Sequence, residues 1–440
     1  MPKFRAKTVK VGTGYYGNLT RLEAFAAEIS VFPPASEVFG LSRALRFERD
    51  SEDFDKELPF MKHDVQRKVA FVHDFLVSYG GAERVLESLV KLDPEAPIYT
   101  LLADERIVRE RFSDREVRTS FLQKLPRFIR KRHRLLLPFF AVAAESFDFR
   151  DFDIVISSSG AWSKGIVTRL RTIHIAYLHS PMRYLWDANE RYLDRMNFGA
   201  CRRFLVRILF SFLRVWDREA AERPDILLAN SEYTASRIRK YYRREAKIVS
   251  PPVVLSENTP SPHSSHEGGR ERETYFLVVA RLTESKEVGA VIDAFGKLDL
   301  PLRIVGEGPE RKRLEVRAGE TVSFAGETDD ATLAGLYTHA RAVIVPSEED
   351  FGLAAAEALS FGTPVIAFGG GGTREIVTEG VTGEFFRAAT PEVIAASVRR
   401  FLERGADAYR IDAESVRDRY AEKRFLDAFR ELIGSETIRT

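Results

Sequence analysis

The residues of this chain best suited to chemistry lie in PSEEDFGLAAAEALSFGTPVIAF, positions 346–368. An apolar strand pattern ends at Pro346, a polar loop follows, and a helical pattern opens near Phe351 and Gly352. The first N–H groups of a helix lack intrahelical partners and carry the positive end of its dipole, so such a start attracts phosphate. Gly352 permits close approach. Glu349 precedes the helix and Glu357 lies inside it, with seven residues between them. At about 1.5 Å of rise per residue, the two carboxylates stand at most roughly 12 Å apart, about the separation of two sugars across a diphosphate. One could hold a ribose and the other a hexose; alternatively, Glu348 and Glu349 cap the helix and Glu357 faces water.

Upstream, VVARLTESK (278–286) leaves a strand with Arg281 and Lys286 bracketing a short turn. Two cations aimed at one cleft would neutralise a diphosphate and stabilise the charge that builds as it departs. Taken singly, such a pair is more often solvated. His179 follows an apolar strand in YLHSPMRYLWD (177–187) and reads either as a site residue or as a satisfied core histidine.

Other patterns carry less. Gly12–Gly17 has the G-x-G-x-x-G form of a dinucleotide fingerprint, but VFPPASEVF (31–39) stands where a second strand belongs. Asp151-Phe152-Asp153 has carboxylate spacing but leads into an apolar strand, and His263 and His266 have no cysteine partners, so no metal and no cofactor is expected.

These residues need elements to position them. Strand-like runs at 68–75, 153–157, 172–178 and 225–229 alternate with helical patterns, as do runs at 275–280, 302–306, 321–326, 342–346 and 364–368. The expected architecture is α/β, two Rossmann-like doubly wound parallel-sheet domains facing across a cleft at the carboxyl ends of their strands. Residues 1–66 read as an extension, and Met61 as a candidate native start. A first domain spans 67–250, a Pro/Ser/Gly-rich linker 251–273, a second domain 274–420, and a final helix at 421–440 could cross back to the first domain. The 440 residues suit two or three domains, and 67 Lys+Arg against 65 Asp+Glu gives a net charge of +2, too weak to argue for nucleic acid. One cysteine, Cys201, fits a reducing compartment. LLLPFFAVAA (135–144) is shorter than the roughly 20 apolar residues a membrane span needs, so a cytoplasmic protein is expected.

The chain from about 68 to 435 resembles retaining glycosyltransferases of family 4, which have the GT-B architecture. The resemblance rests on DFLVSYGGAERV (74–85), DIVISSSGAWSKG (153–165), YLHSPMRYLWD, ANSEYTASRIRKYY (229–242), ARLTESK (280–286), IVGEGPE (304–310) and EDFGLAAAE (349–357). The first-domain motifs look most like bacterial O-antigen and exopolysaccharide mannosyltransferases. The resemblance implies that Arg281 and Lys286 clamp a nucleotide diphosphate, that Phe351, Gly352 and Leu353 surround it with N–H groups, and that Glu357 takes ribose hydroxyls. It also implies that Glu349 contacts the transferred sugar, that Gly306 and Gly308 lie by the base and ribose, that Gly80 and Gly81 approach phosphate or acceptor, and that His179 sits beside the donor sugar. Where the family pattern has His, this chain has Gly160. The implied partners are a nucleotide-diphosphate sugar, with GDP-mannose preferred, and a lipid-linked or polysaccharide glycan acceptor. A glycan phosphorylase or epimerase, or a non-catalytic subunit that binds a nucleotide sugar, are the alternatives.

Two basic, apolar stretches are candidates for lying on an anionic inner-leaflet surface or for packing on the sheet. One runs from Arg118 to Ala144 with Lys124, Arg127, Arg130, Lys131, Arg132 and Arg134; the other is CRRFLVRILFSFLR (201–214) with Arg202, Arg203, Arg207 and Arg214.

Overall fold

The structure, a computed structural model, describes residues 67–130, 136–195, 198–254 and 275–435. Gly12–Gly17, Met61, His263, His266, Lys131, Arg132 and Arg134 lie outside the described residues.

The first sheet comprises β1 (Val69–Leu76), β2 (Ile98–Ala103), β3 (Val117–Thr119), β4 (Ile154–Ser159), β5 (Ile173–Leu178), β6 (Ile226–Ala229) and β7 (Lys247–Ile248). Its order is β3-β2-β1-β4-β5-β6-β7, and all pairs are parallel. Strands buried on both faces need apolar runs, and β1, β4 and β5 have them, broken by His73 and Asp74, by Ser157–Ser159 and by His174, which are buried and polar. The order reverses between β1 and β4, and at such a point the loops after two neighbouring strands diverge and leave a crevice. Three strands escape the sequence reading for physical reasons. β2 runs straight into a charged helix capped by Asp104 with no glycine turn, and β3 and β7 have only three and two residues.

The second sheet comprises β8 (Phe276–Val279), β9 (Leu302–Val305), β10 (Val322–Gly326), β11 (Val343–Val345), β12 (Val365–Phe368) and β13 (Gly383–Phe386). It is parallel, in the order β10-β9-β8-β11-β12-β13, and reverses between β8 and β11. β13 is hidden in the sequence by Glu384, a carboxylate only 2% exposed that Arg400, Arg404 and Tyr409 hold.

Each sheet is covered on both faces. Helix Gly81–Leu89 packs Leu86 and Leu89 on one face of the first sheet together with Phe425, Leu426 and Phe429 of the final helix, Glu422–Ser435. Tyr177 of β5 meets the Phe425 ring at 5.6 Å, and Ser88 and Lys91 bind Glu422. The opposite face carries Phe140, Trp162, Phe210 and Leu213.

Candidate functional site

The loop after β11 is shaped by glycines on a neighbouring loop. Glu349 makes an isolated parallel bridge with Gly371, and the Gly372 N–H donates to the Glu349 carbonyl at 2.9 Å. A Cβ on Gly371 would stand 2.1 Å from the Glu349 carbonyl oxygen, and one on Gly372 2.3 Å from that of Asp350. Gly371 also has φ +69°, which side-chain residues rarely adopt. Helix Leu353–Ser360 follows, with Gly352 at φ +102° as its N-cap and no side-chain cap. This corrects two expectations. Neither Glu348 nor Glu349 caps the helix, and the estimate of roughly 12 Å applies helical rise to residues 349–352, which precede the helix.

Arg281, Lys286, Gly306, Gly308, Glu349, Leu353 and Glu357 line a cavity of about 650 Å3 with Gly80 and Gly81 of the first domain. Lys286 Nζ lies 2.7 and 2.6 Å from the two Glu349 carboxylate oxygens, and Ser347 Oγ donates to Glu349 at 2.6 Å. Burial opposes ionisation of Glu349, but the charge and hydrogen bond of Lys286, with help from Ser347 and Arg183, outweigh it and hold the carboxyl below its usual range. Arg281 is exposed on the same wall. Gly306, at φ +127°, and Gly308 pack where a Cβ would stand 2.1 and 2.2 Å from the Ala280 and Leu282 carbonyls, so both let the loop after β9 close onto the Arg281 turn.

Phe351, Gly352 and His179 are not among the residues lining this cavity. The Phe351 ring turns inward onto Tyr420 at 5.4 Å. His179 Nε2 hydrogen-bonds Ser158 Oγ at 2.8 Å, and Ser158 Oγ also meets His73 Nδ1 at 3.1 Å, with Glu83 3.6 Å from the far His73 nitrogen. Burial, and then the neighbouring His73, push His179 down to about 4, so it is neutral near pH 7. Next to His73, Asp74 accepts N–H bonds from Gly160, Ala161, Trp162 and Ser163 at 2.6 to 2.9 Å, fixing the turn after β4. A Cβ at Gly160 would meet only Asp74, at 3.6 Å, so the backbone there does not demand glycine.

Glu357 does not face water. It is 6% exposed; Oε1 accepts from Arg84 at 3.0 Å and Oε2 from the Tyr337 hydroxyl at 2.6 Å. Arg84 also binds Asp330 at 2.8 Å. Burial raises the Glu357 carboxyl above its usual range, only partly offset by Arg84 and Tyr337.

A second set of contacts joins the domains beside Glu349. Asp350 takes both Arg183 Nε and Nη2 at 3.1 Å and Arg237 Nη1 at 2.5 Å, and Ser231 Oγ donates to its carbonyl. Glu375 accepts the N–H groups of Glu232 and Tyr233 at the start of helix Glu232–Tyr242. Arg84, Arg183, Arg237, Asp350 and the Gly369–Gly372 run are absent from the candidate site drawn from the sequence. The run of four glycines is the one signal that could have pointed to the loop, since consecutive glycines mark close backbone approach.

Residues 79–257 match the family model for Glycosyltransferase Family 4, and residues 263–419 that for Glycosyl transferases group 1. The chain is built from the two domains of a GT-B glycosyltransferase. Among solved structures, a sucrose-phosphate synthase from Thermosynechococcus elongatus superposes with a TM-score of 0.63 at 18% identity, covering 85% of this chain and 100% of that one. The Anabaena protein HepE, solved with UDP and glucose, gives 0.60 at 18% identity over 84% and 100%. A GDP-mannose-dependent alpha-(1-6)-phosphatidylinositol dimannoside mannosyltransferase of Mycobacterium tuberculosis is 37% identical over 143 residues, 30% of this chain and 36% of that protein. The chain spans 36% to 51% of the length of the curated relatives it matches.

Proposed function

We propose that the protein is a retaining hexosyltransferase that moves mannose from GDP-mannose to a hydroxyl of a lipid-linked or polysaccharide glycan acceptor in cell-surface glycan synthesis. The observation that carries this reading is the convergence of Lys286, Arg281, Glu349 and Glu357 on one cavity of about 650 Å3 where the second sheet reverses its strand order. Arg281 and Lys286 take the diphosphate, with N–H groups of Phe351, Gly352 and Leu353 at the helix start; Glu349 takes the hexose and Glu357 the ribose diol. In this structure Lys286 is bound to Glu349, so a phosphate entering the site shares that cation. The transfer follows a front-face course. The anomeric carbon–oxygen bond to phosphate breaks, the acceptor oxygen bonds to that carbon on the same face, and the acceptor proton passes to the departing phosphate oxygen. Positioning and leaving-group stabilisation supply the rate.

The acceptor half of the proposal is supported by the first domain. Phe204, Ile208, Phe212 and Val215 are exposed along one face of helix Ala200–Glu222, and Phe128, Phe139 and Val142 are exposed nearby in sequence on the other basic stretch. Arg203 and Arg207 of that helix are paired with Glu190 and Asp194, which leaves less positive charge than their number implies. No helix among the described residues is long and apolar enough to cross a membrane. Peripheral docking on an anionic inner leaflet is the corresponding reading.

The test is a thermal-shift comparison of GDP-mannose with UDP- and ADP-sugars, followed by transfer to a polyprenyl-diphosphate-linked glycan with NMR assignment of the new linkage. Stabilisation by GDP-mannose and an α-configured product that persists in EDTA are expected. Donor hydrolysis without acceptor transfer, or an inverted product, would overturn the reading.

A further inference from the structure

We infer that Arg84, a residue of the first domain, positions Glu357 of the second, so that the ribose-binding carboxylate is complete only when the cleft is closed. This rests on the proposal that Glu357 takes the ribose hydroxyls. A buried carboxylate is costly unless its oxygens are bonded, and one fixed on both sides presents its remaining lone pairs in a set direction. Tyr337 fixes Oε2 from within the second domain, at 2.6 Å, whereas Oε1 depends on Arg84, at 3.0 Å. Arg84 is itself braced by Asp330 at 2.8 Å, so its guanidinium spans two acids of the other domain.

The approach that brings Arg84 there is built into the sequence. Arg84 lies in the first turn of helix Gly81–Leu89, and a Cβ on Gly81 would stand 3.4 Å from Leu353 of the facing helix. The starts of these two helices thus lie within van der Waals range of each other across the cleft. Glu357 and Arg84 both line the cavity, and burial alone drives the Glu357 carboxyl toward its neutral form, which donates rather than accepts at one oxygen. Opening the cleft removes the cation that opposes this.

The experiment is calorimetric titration of GDP and 2′,3′-dideoxy-GDP against the full chain and its Arg84→Ala, Arg84→Lys, Asp330→Asn and Glu357→Gln variants. Hydrogen bonds to a charged group make the wild type prefer GDP by about 10- to 100-fold. Arg84→Ala should bring that ratio below about threefold. Arg84→Lys, which cannot reach both acids at once, should retain part of it, and Asp330→Asn should lower it less. If Arg84→Ala weakens both nucleotides equally and keeps their ratio, Arg84 is only a structural strut and the inference fails. If Glu357→Gln keeps the ratio, the ribose assignment itself fails; if Glu357→Gln abolishes it while Arg84→Ala does not, that assignment stands and the positioning role falls. Should Arg84→Ala not fold, Arg84→Lys and Asp330→Asn decide, because a ratio unchanged in both is the same negative result.

Discussion

Glu349 and Glu357 stand on either side of one helix start, yet Glu349 takes its cation from its own domain, Lys286 at 2.6 Å, whereas Glu357 takes its cation from the other, Arg84 at 3.0 Å. The consequence is opposite titration behaviour. Lys286 more than offsets the burial of Glu349 and holds it below the usual range, while Arg84 fails to offset the burial of Glu357, which stays above it. The main counter-ion of Glu349 therefore lies within the second domain, with Arg183 of the first adding a smaller share, while Glu357 depends on the first domain for its cation. A carboxylate whose counter-ion arrives by domain closure can report closure; one paired inside its own domain cannot.

The largest effect is expected where the self-contained pair is broken. Lys286→Ala removes the cation proposed to meet the departing diphosphate and leaves Glu349, with a side chain 21% exposed, without its ion-pair partner. Loss of one such stabilising group costs about 100- to 1,000-fold in kcat. Steady-state transfer assays should show that loss at saturating donor, and turnover unchanged would sink both the clamp and the contrast drawn above.

Gly371→Ala attacks Glu349 from behind without removing any charged group. A methyl placed 2.1 Å from the Glu349 carbonyl, on a residue at φ +69°, forces the 347–350 loop to shift. A shift of about 1 Å in a positioning group can cost up to about 100-fold, and a 10- to 100-fold fall in kcat/KM is expected, with the preference for GDP over its dideoxy form unchanged because Glu357 is untouched. A fall in that preference would mean the two carboxylates are one unit, and the comparison would dissolve.

Much of this was legible in the sequence, and the part that was not has a common cause. Arg281 and Lys286 follow a strand end, Glu349 precedes a helix and Glu357 lies inside it, a succession that local patterning marks, and all four line the cavity. Arg84, Arg183 and Arg237 were not legible, because each is an arginine on an ordinary amphipathic helix or turn whose partner lies 113 to 273 residues away. Apolar runs mark most strands of the two sheets, but β2 has no glycine turn to bound it, β3 and β7 are too short, and β13 is masked by Glu384, a buried charge neutralised by later arginines. Tertiary pairing erases the charge signal that a strand or a site would otherwise show.

The smallest effect, and the sharpest on the comparison, is in pH. Glu357 is faced by Arg84, Tyr337 and Asp330, of which Asp330 and burial raise its carboxyl and the other two lower it. Its raised value means that the folded protein binds a proton there more readily than the unfolded chain, so this group stabilises the fold most at low pH and loses that contribution as pH rises through its folded value. Glu349 runs the other way: its ion pair contributes stability above the usual carboxylate range, near 4.5, and loses it as pH falls below. As a donor-affinity profile is taken downward in pH, Glu357 should therefore be protonated first, and the acid limb for GDP-mannose should lie above 4.5. In Arg84→Ala that limb should move further upward, so that binding of GDP-mannose weakens earlier on the way down in pH than in the wild type. The dideoxy nucleotide, which makes no demand on Glu357, should lack the shift. A limb that moves equally for both nucleotides would assign the titration to the phosphate clamp, and the two carboxylates would then differ in partner but not in function.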